Sequence, residues 1–93
     1  MTDTEINRAL ALSIGWPIVW RSRDGKVWVG SDILLIGKVF DYRDWKVIGP
    51  IAARYNMFPF AVAGWWNVAG YGQPSSKTPQ KAIALAVIKR AKE

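Results

Sequence analysis

Pro17-Ile18-Val19-Trp20-Arg21-Ser22-Arg23-Asp24-Gly25-Lys26-Val27-Trp28-Val29-Gly30 reads as a β-hairpin. Two short runs rich in Ile, Val and Trp flank Asp24-Gly25, a pair suited to the positive φ angles of a tight turn. Folding the chain about that turn sets Trp20 beside Trp28. The hairpin calls for an antiparallel sheet with an apolar face, and the segments around it supply helices to cover that face.

Upstream, Thr2-Asp3-Thr4-Glu5 matches a capping box, with Thr2 as N-cap and Glu5 three residues on. Ile6, Leu10 and Ile14 then recur every four residues, which predicts a helix over 3–14 with Gly15 as its stop. Downstream, Gly30-Ser31-Asp32 breaks the second strand. Ile33–Ile36 suits either a short buried strand or a helical turn, because four apolar residues do not separate the two. Trp45, Ile48, Ala52 and Tyr55 fall at helical spacing, so 41–55 is expected to contain a helix. Asp41 is placed to cap it and Asp44 to complement its positive end. Pro50 implies either a kink at Gly49-Pro50 or a regular helix that begins there.

Phe58 to Val68 is strand material, with Gly64 as a bulge or a hairpin bend. Gly70 to Ser76 reads as a polar loop. Thr78-Pro79 reads as an N-cap followed by proline at the first helical position. A last helix over 79–91 buries Ile83, Ala84, Val87, Ile88 and Ala91 on one face and projects Lys81, Lys89 and Lys92 from the other. No repeat or linker divides the chain. The expectation is one α+β domain over 1–93, a small mainly antiparallel sheet packed with helices in the order α-β-β-(β)-α-β-β-α.

The 93 residues include six Trp and carry a formal charge of +6. A basic surface favours anionic partners such as nucleic acid, an acidic protein face or a membrane surface. The chain has no Cys and no His. Thiol nucleophiles, thiolate metal sites, the commonest general base and the commonest metal ligand are therefore excluded. Asp41 and Asp44 are the closest carboxylates in a possible functional setting, and helix capping accounts for both. No catalytic residue, metal or cofactor is expected. Met1 is followed by polar residues, and no segment approaches the roughly twenty apolar residues of a membrane span. A cytoplasmic protein that does not engage membrane, monomeric or homodimeric, is the resulting expectation.

Three segments together resemble a known group. Glu5-Ile6-Asn7-Arg8-Ala9-Leu10-Ala11-Leu12-Ser13-Ile14-Gly15-Trp16 resembles the opening of the phage α/β/α sandwich domain family, a short helix typically ending in a Leu-Gly-Trp tripeptide. Asp41-Tyr42-Arg43-Asp44-Trp45 with Gly49-Pro50-Ile51 resembles the middle helix of that family and of the phage NinX-like proteins. Thr78-Pro79-Gln80-Lys81-Ala82-Ile83-Ala84 resembles their closing helix. The chain departs from the family at Ala84-Leu85-Ala86, where many members carry Cys-Arg, and in its Trp65-Trp66 pair. The resemblance implies a phage or prophage origin and a compact fold. It implies no activity and supplies no site residues.

Two binding surfaces emerge from the residues themselves. Neighbouring residues of a strand point to opposite faces, so one of Trp65 and Trp66 is expected in the core and the other exposed as an interface anchor. With Tyr71 and the basic hairpin tip (Arg21, Arg23, Lys26), the exposed tryptophan forms a candidate surface for a host or phage protein, with counter-defence or host regulation as the setting. The alternative is nucleic acid, bound through the hairpin tip and through Lys77, Lys81, Lys89, Arg90 and Lys92. Gly70-Tyr71-Gly72, Ser75-Ser76-Lys77 and the following lysine-bearing helix are similar to the close of double-stranded RNA-binding domains, which set lysines at the start of their last helix against phosphates. That likeness stops at 41–55, where a helix is expected in place of consecutive strands.

Overall fold

A computed structural model describes residues 1–31 and 37–93, with the side chains of 71–75 outside the description. The Ile33–Ile36 segment therefore lies outside the described residues. The elements are α1 (Asp3–Ser13), β1 (Ile18–Arg21), β2 (Val27–Gly30), β3 (Lys38–Val39), α2 (Trp45–Tyr55), β4 (Pro59–Val62), β5 (Trp65–Val68), β6 (Tyr71–Ser76) and α3 (Pro79–Ala91). The class is α+β, as expected. Among the described residues, no helix is long and apolar enough to cross a membrane.

Among the described residues the strands form two antiparallel sheets, β1-β2-β3 and β4-β5-β6, rather than the single sheet anticipated. The element order is thus an α-β-β-β unit twice over, closed by α3. Helices α1 and α3 pack on each other; α1 also meets β1 and β2, while α3 meets all three strands of the second sheet and α2. This places α3 at the centre, which explains its composition. Ala82, Ile83, Ala84, Ala86, Val87 and Ile88 are all buried, covering more of the helix than one face, and the alanines let neighbours approach closely. The anticipated apolar stripe ends early, because Ala91 is exposed. One core joins α3 to Ile6 and Leu10 of α1, Val27 and Val29 of β2, Ile48 and Ile51 of α2, and Val68 of β5.

Local signals act where they stand in the sequence. Thr2 Oγ1 accepts the N–H of Glu5 at 3.2 Å and Glu5 Oε1 accepts the N–H of Thr2 at 3.1 Å, completing the capping box. Gly25 takes φ +85° in the first hairpin turn, and Trp20 stacks on Trp28 with ring centroids 6.2 Å apart. Thr78 caps α3 and Pro79 occupies its start.

Two expectations change. Residues 71–76 form an edge strand instead of a loop, and the pairing with β5 carries an irregularity between Trp66 and Val68. An edge strand accommodates Pro74, whose missing N–H a central strand would not tolerate. Helix α2 begins at Trp45 with Asp44 as its N-cap, and it runs through Pro50. Asp41 therefore precedes the helix and does not share a helical face with Asp44. Trp45, which shares the helical spacing of Ile48, Ala52 and Tyr55, is 51% exposed, whereas Ile48 and Ile51 are buried.

Candidate functional site

The second sheet carries the first component of the site. Ala63 and Gly64 both take positive φ, 51° and 83°, the geometry of a two-residue hairpin turn. That turn fixes the register Phe60↔Asn67, Ala61↔Trp66 and Val62↔Trp65. Paired residues share a face, so Trp66 turns toward the core, against which it packs. Trp65 turns outward with Phe60 and Val62. These three are 46%, 45% and 55% exposed. The open face of β4 and β5 is thus an apolar patch with two aromatic rings, and Trp65 is the exposed member of the tryptophan pair.

The amino end of α3 supplies the second component. Lys77 Nζ lies 5.8 Å from the centroid of the Trp65 ring, within range of a cation–π contact. Lys81 follows one helical turn later, its N–H donated to Thr78 Oγ1 at 3.3 Å. Among the described residues no carboxylate lies within ion-pair distance of either lysine. A cleft of about 480 Å³ joins Trp65, Lys77, Thr78 and Lys81 to Asp3, Tyr42 and Arg43. The exposed aromatic residue expected for protein contact and the lysine pair expected for phosphate contact therefore occupy one site.

The Tyr42 and Arg43 part of the lining is tied by hydrogen bonds. Tyr42 is buried, and its backbone N–H donates to Asn7 Oδ1 at 2.7 Å while its hydroxyl donates to Asp3 Oδ1 at 2.5 Å. Burial, reinforced by the Asp3 carboxylate, pushes the Tyr42 hydroxyl well above the usual tyrosine range, so it stays a donor. Arg43 holds Asp41 through Nη2–Oδ2 at 2.8 Å and Nε–Oδ1 at 3.0 Å, and reaches Asp3 at 3.4 Å. These contacts, led by the guanidinium hydrogen bonds, hold the Asp41 carboxyl below its ordinary value and raise Arg43 further. Arg43 is thus largely neutralised, which leaves Lys77 and Lys81 as the cations available in the cleft.

The remaining basic residues separate. A second cleft of about 320 Å³ shares Asp3 and Arg43 with the first and extends to Asp24, Gly25 and Lys26. Thr4 Oγ1 donates to Gly25 O at 2.8 Å, pinning the hairpin tip to α1. Lys26 therefore lines a cleft that adjoins the first through Asp3 and Arg43, and it is itself paired with Asp24 at 3.8 Å. Arg21 and Arg23 are exposed and line neither cleft. Lys89 and Lys92 lie toward the far end of α3, about 12 Å or more from Lys81 by the helical rise. Arg90 is committed to Tyr55, donating to its carbonyl at 3.3 Å and lying 5.3 Å from its ring centroid. The run from 77 to 92 is therefore not one patch. The Tyr71 backbone pairs with Val68 in β6, and its side chain lies outside the described residues.

Arg43, Phe60 and Val62 were not singled out by the sequence. Phe60 and Val62 follow from Trp65 once 63–64 is taken as a two-residue turn, since pairing then places all three on one face. No family model, curated protein or solved structure matches the chain.

Proposed function

We propose that the chain is a non-catalytic binding domain that docks a partner protein on the open face of β4 and β5. The observation that carries this reading is the exposed trio Phe60, Val62 and Trp65 with Lys77 at its edge. An apolar, aromatic centre with a charged rim is the anatomy of a protein interface, and a half-buried Trp is a favoured anchor. Lys77 and Lys81, without carboxylate partners among the described residues, suit a partner whose rim is acidic. The family resemblance supports a phage or prophage origin, with a host or phage protein as the partner.

A photoreactive phenylalanine analogue at Val62 tests the reading directly. Irradiation in bacterial cells should give a protein adduct from Val62 and none from the same analogue at Leu12, an exposed site on α1. Absence of a Val62 adduct, or equal adducts from both positions, rejects it.

A second reading has its own observation. Lys77 and Lys81 flank the amino end of α3, and three consecutive strands, β4 to β6, lead into that helix after α2. The helix at 45–55 precedes the strands instead of interrupting them, which favours the likeness with double-stranded RNA-binding domains, although only Lys77 and Lys81, not a dense lysine run, flank the start of α3. Phosphate contact predicts an affinity that falls steeply between about 50 and 200 mM salt. A mobility shift with duplex RNA at both concentrations tests it; no shift at the lower salt rejects it.

A further inference from the structure

A separate cleft of about 520 Å³ opens between α2 and β3, beyond the end of α1. It shares no lining residue with the Trp65 cleft among the described residues. Its size falls within the roughly 300–1,000 Å³ typical of small-molecule sites. Trp16, Val39, Phe40, Val47, Pro50 and Ile51 give it an apolar lining. Phe40 and Ile51 belong to the core, so the floor is fixed by packing.

Three cations edge this floor. Lys46, Pro50 and Arg54 follow one another every fourth residue on one face of α2, and Lys38 stands across from them on β3. Lys38 Nζ is 5.1 Å from the centroid of Trp16. No aspartate or glutamate lines the cleft among the described residues, and none pairs with any of the three cations. The nearest acid in sequence, Asp44, spends its carboxylate on the Lys46 backbone N–H, at 2.9 Å, as the α2 cap.

We propose that this cleft binds a small amphipathic polyanion, a flat apolar body bearing two or more phosphate, sulfonate or carboxylate charges. Three like charges around one opening repel each other, and a polyanion relieves that repulsion where a monocarboxylate compensates only one. Inorganic phosphate would satisfy the cations but leave the apolar floor wet. The ligand that meets both features is charged at its margin and flat and apolar in its body. Nucleoside triphosphates are one natural source of that chemistry and aromatic polycarboxylates another.

Fluorescence titration of the protein with a dianionic bis-anilinonaphthalene sulfonate dye tests the proposal. The dye should bind with one-to-one stoichiometry. Adenosine triphosphate and benzene tetracarboxylate are then run as competitors, to distinguish the two sources. At least one should displace the dye at a concentration about tenfold below that needed for adenosine, tripolyphosphate or laurate. Lys46→Gln with Arg54→Gln should weaken dye binding by about tenfold or more, and Val39→Glu, which places an acid at the rim, should do the same by a different route. Trp65→Ala should leave it unchanged. All of these positions are exposed, and circular dichroism confirms that each variant is folded. Dye affinity that survives the cation and Val39 changes overturns the proposal, as does displacement by adenosine or laurate as effective as that by both polyanions.

Discussion

Lys77 Nζ sits 5.8 Å from the centroid of the half-exposed Trp65 ring. The two residues come from different elements, the ring from β5 and the ammonium from the turn between β6 and α3. Their approach makes the open face of the second sheet continuous with the amino end of α3. Replacing Lys77 with Glu puts a carboxylate beside the ring and reverses the rim charge. Partner association should slow by about tenfold at low salt and converge on wild type at high salt, because rim charges act mainly on association rate and are screened. Stopped-flow or surface-capture kinetics at two ionic strengths measure this.

Asn7 ties α1 to the segment before α2. It is 5% exposed, and its side-chain oxygen accepts the backbone N–H of Tyr42 at 2.7 Å. Asn7→Ala leaves that buried N–H without a partner, at a cost of about 1–3 kcal/mol. The expected drop in Tm is about 4–8 °C per kcal/mol for a domain of this size. A thermal melt followed by circular dichroism reads it, and an unchanged Tm would show that the hydrogen bond contributes nothing net.

Acid stability should depend on Asp41. Hydrogen bonds from the Arg43 guanidinium are the main cause of its lowered pKa, and Asn7 adds to them. A carboxyl whose pKa is lower folded than unfolded stabilises the fold above its ordinary value of 3.8, and that contribution fades as pH falls through the lower folded value. Asp41→Asn should therefore lower stability at neutral pH and flatten the acid limb of a urea-denaturation series. Parallel acid limbs for the two proteins would refute the coupling.

Gly37 occupies φ +76°, and a Cβ there would lie 2.4 Å from Trp20 Cη2 and 3.2 Å from the Val29 carbonyl. The indole is rigid and stacked on Trp28, so it yields poorly. Gly37→Ala should destabilise the protein by about 2–5 kcal/mol through the combined strain and overpacking. Gly70→Ala, also at positive φ but with open space around it, should cost only the backbone part, about 1–2 kcal/mol. Urea midpoints of the two variants separate the contributions.

Helices α1 and α3 were legible in the sequence because their ends carry local chemistry. Thr2 with Glu5, and Thr78 with Pro79, act within one turn of themselves and mark α1 and α3 to within a residue. The hairpin at Asp24-Gly25 was legible for the same reason. What was not legible depends on distant partners. Whether 71–76 is strand or loop is decided by β5, which offers its free edge to a segment with poor intrinsic strand propensity. The division into two sheets follows from α3 lying between α1 and the second sheet, and no periodicity encodes which neighbours a helix meets on each side. Of the candidate site, Trp65, Lys77 and Lys81 were recognisable as residue types. Their convergence required the register set at Ala63-Gly64, and Arg43 entered through its ties to Asp3 and Asp41. Arg21, Arg23, Lys89 and Lys92 shared only their charge, and the fold disperses them.

Capture of a partner by immobilised wild-type protein and by Trp65→Ala, from nuclease-treated bacterial lysate, weighs the binding role of the sheet face against all alternatives at once. The proposed role predicts a defined protein retained by wild type, lost with Trp65→Ala, and unaffected by nuclease, while both baits melt at the same temperature. Retention of the same protein by both baits, or retention that disappears on nuclease treatment, would contradict it.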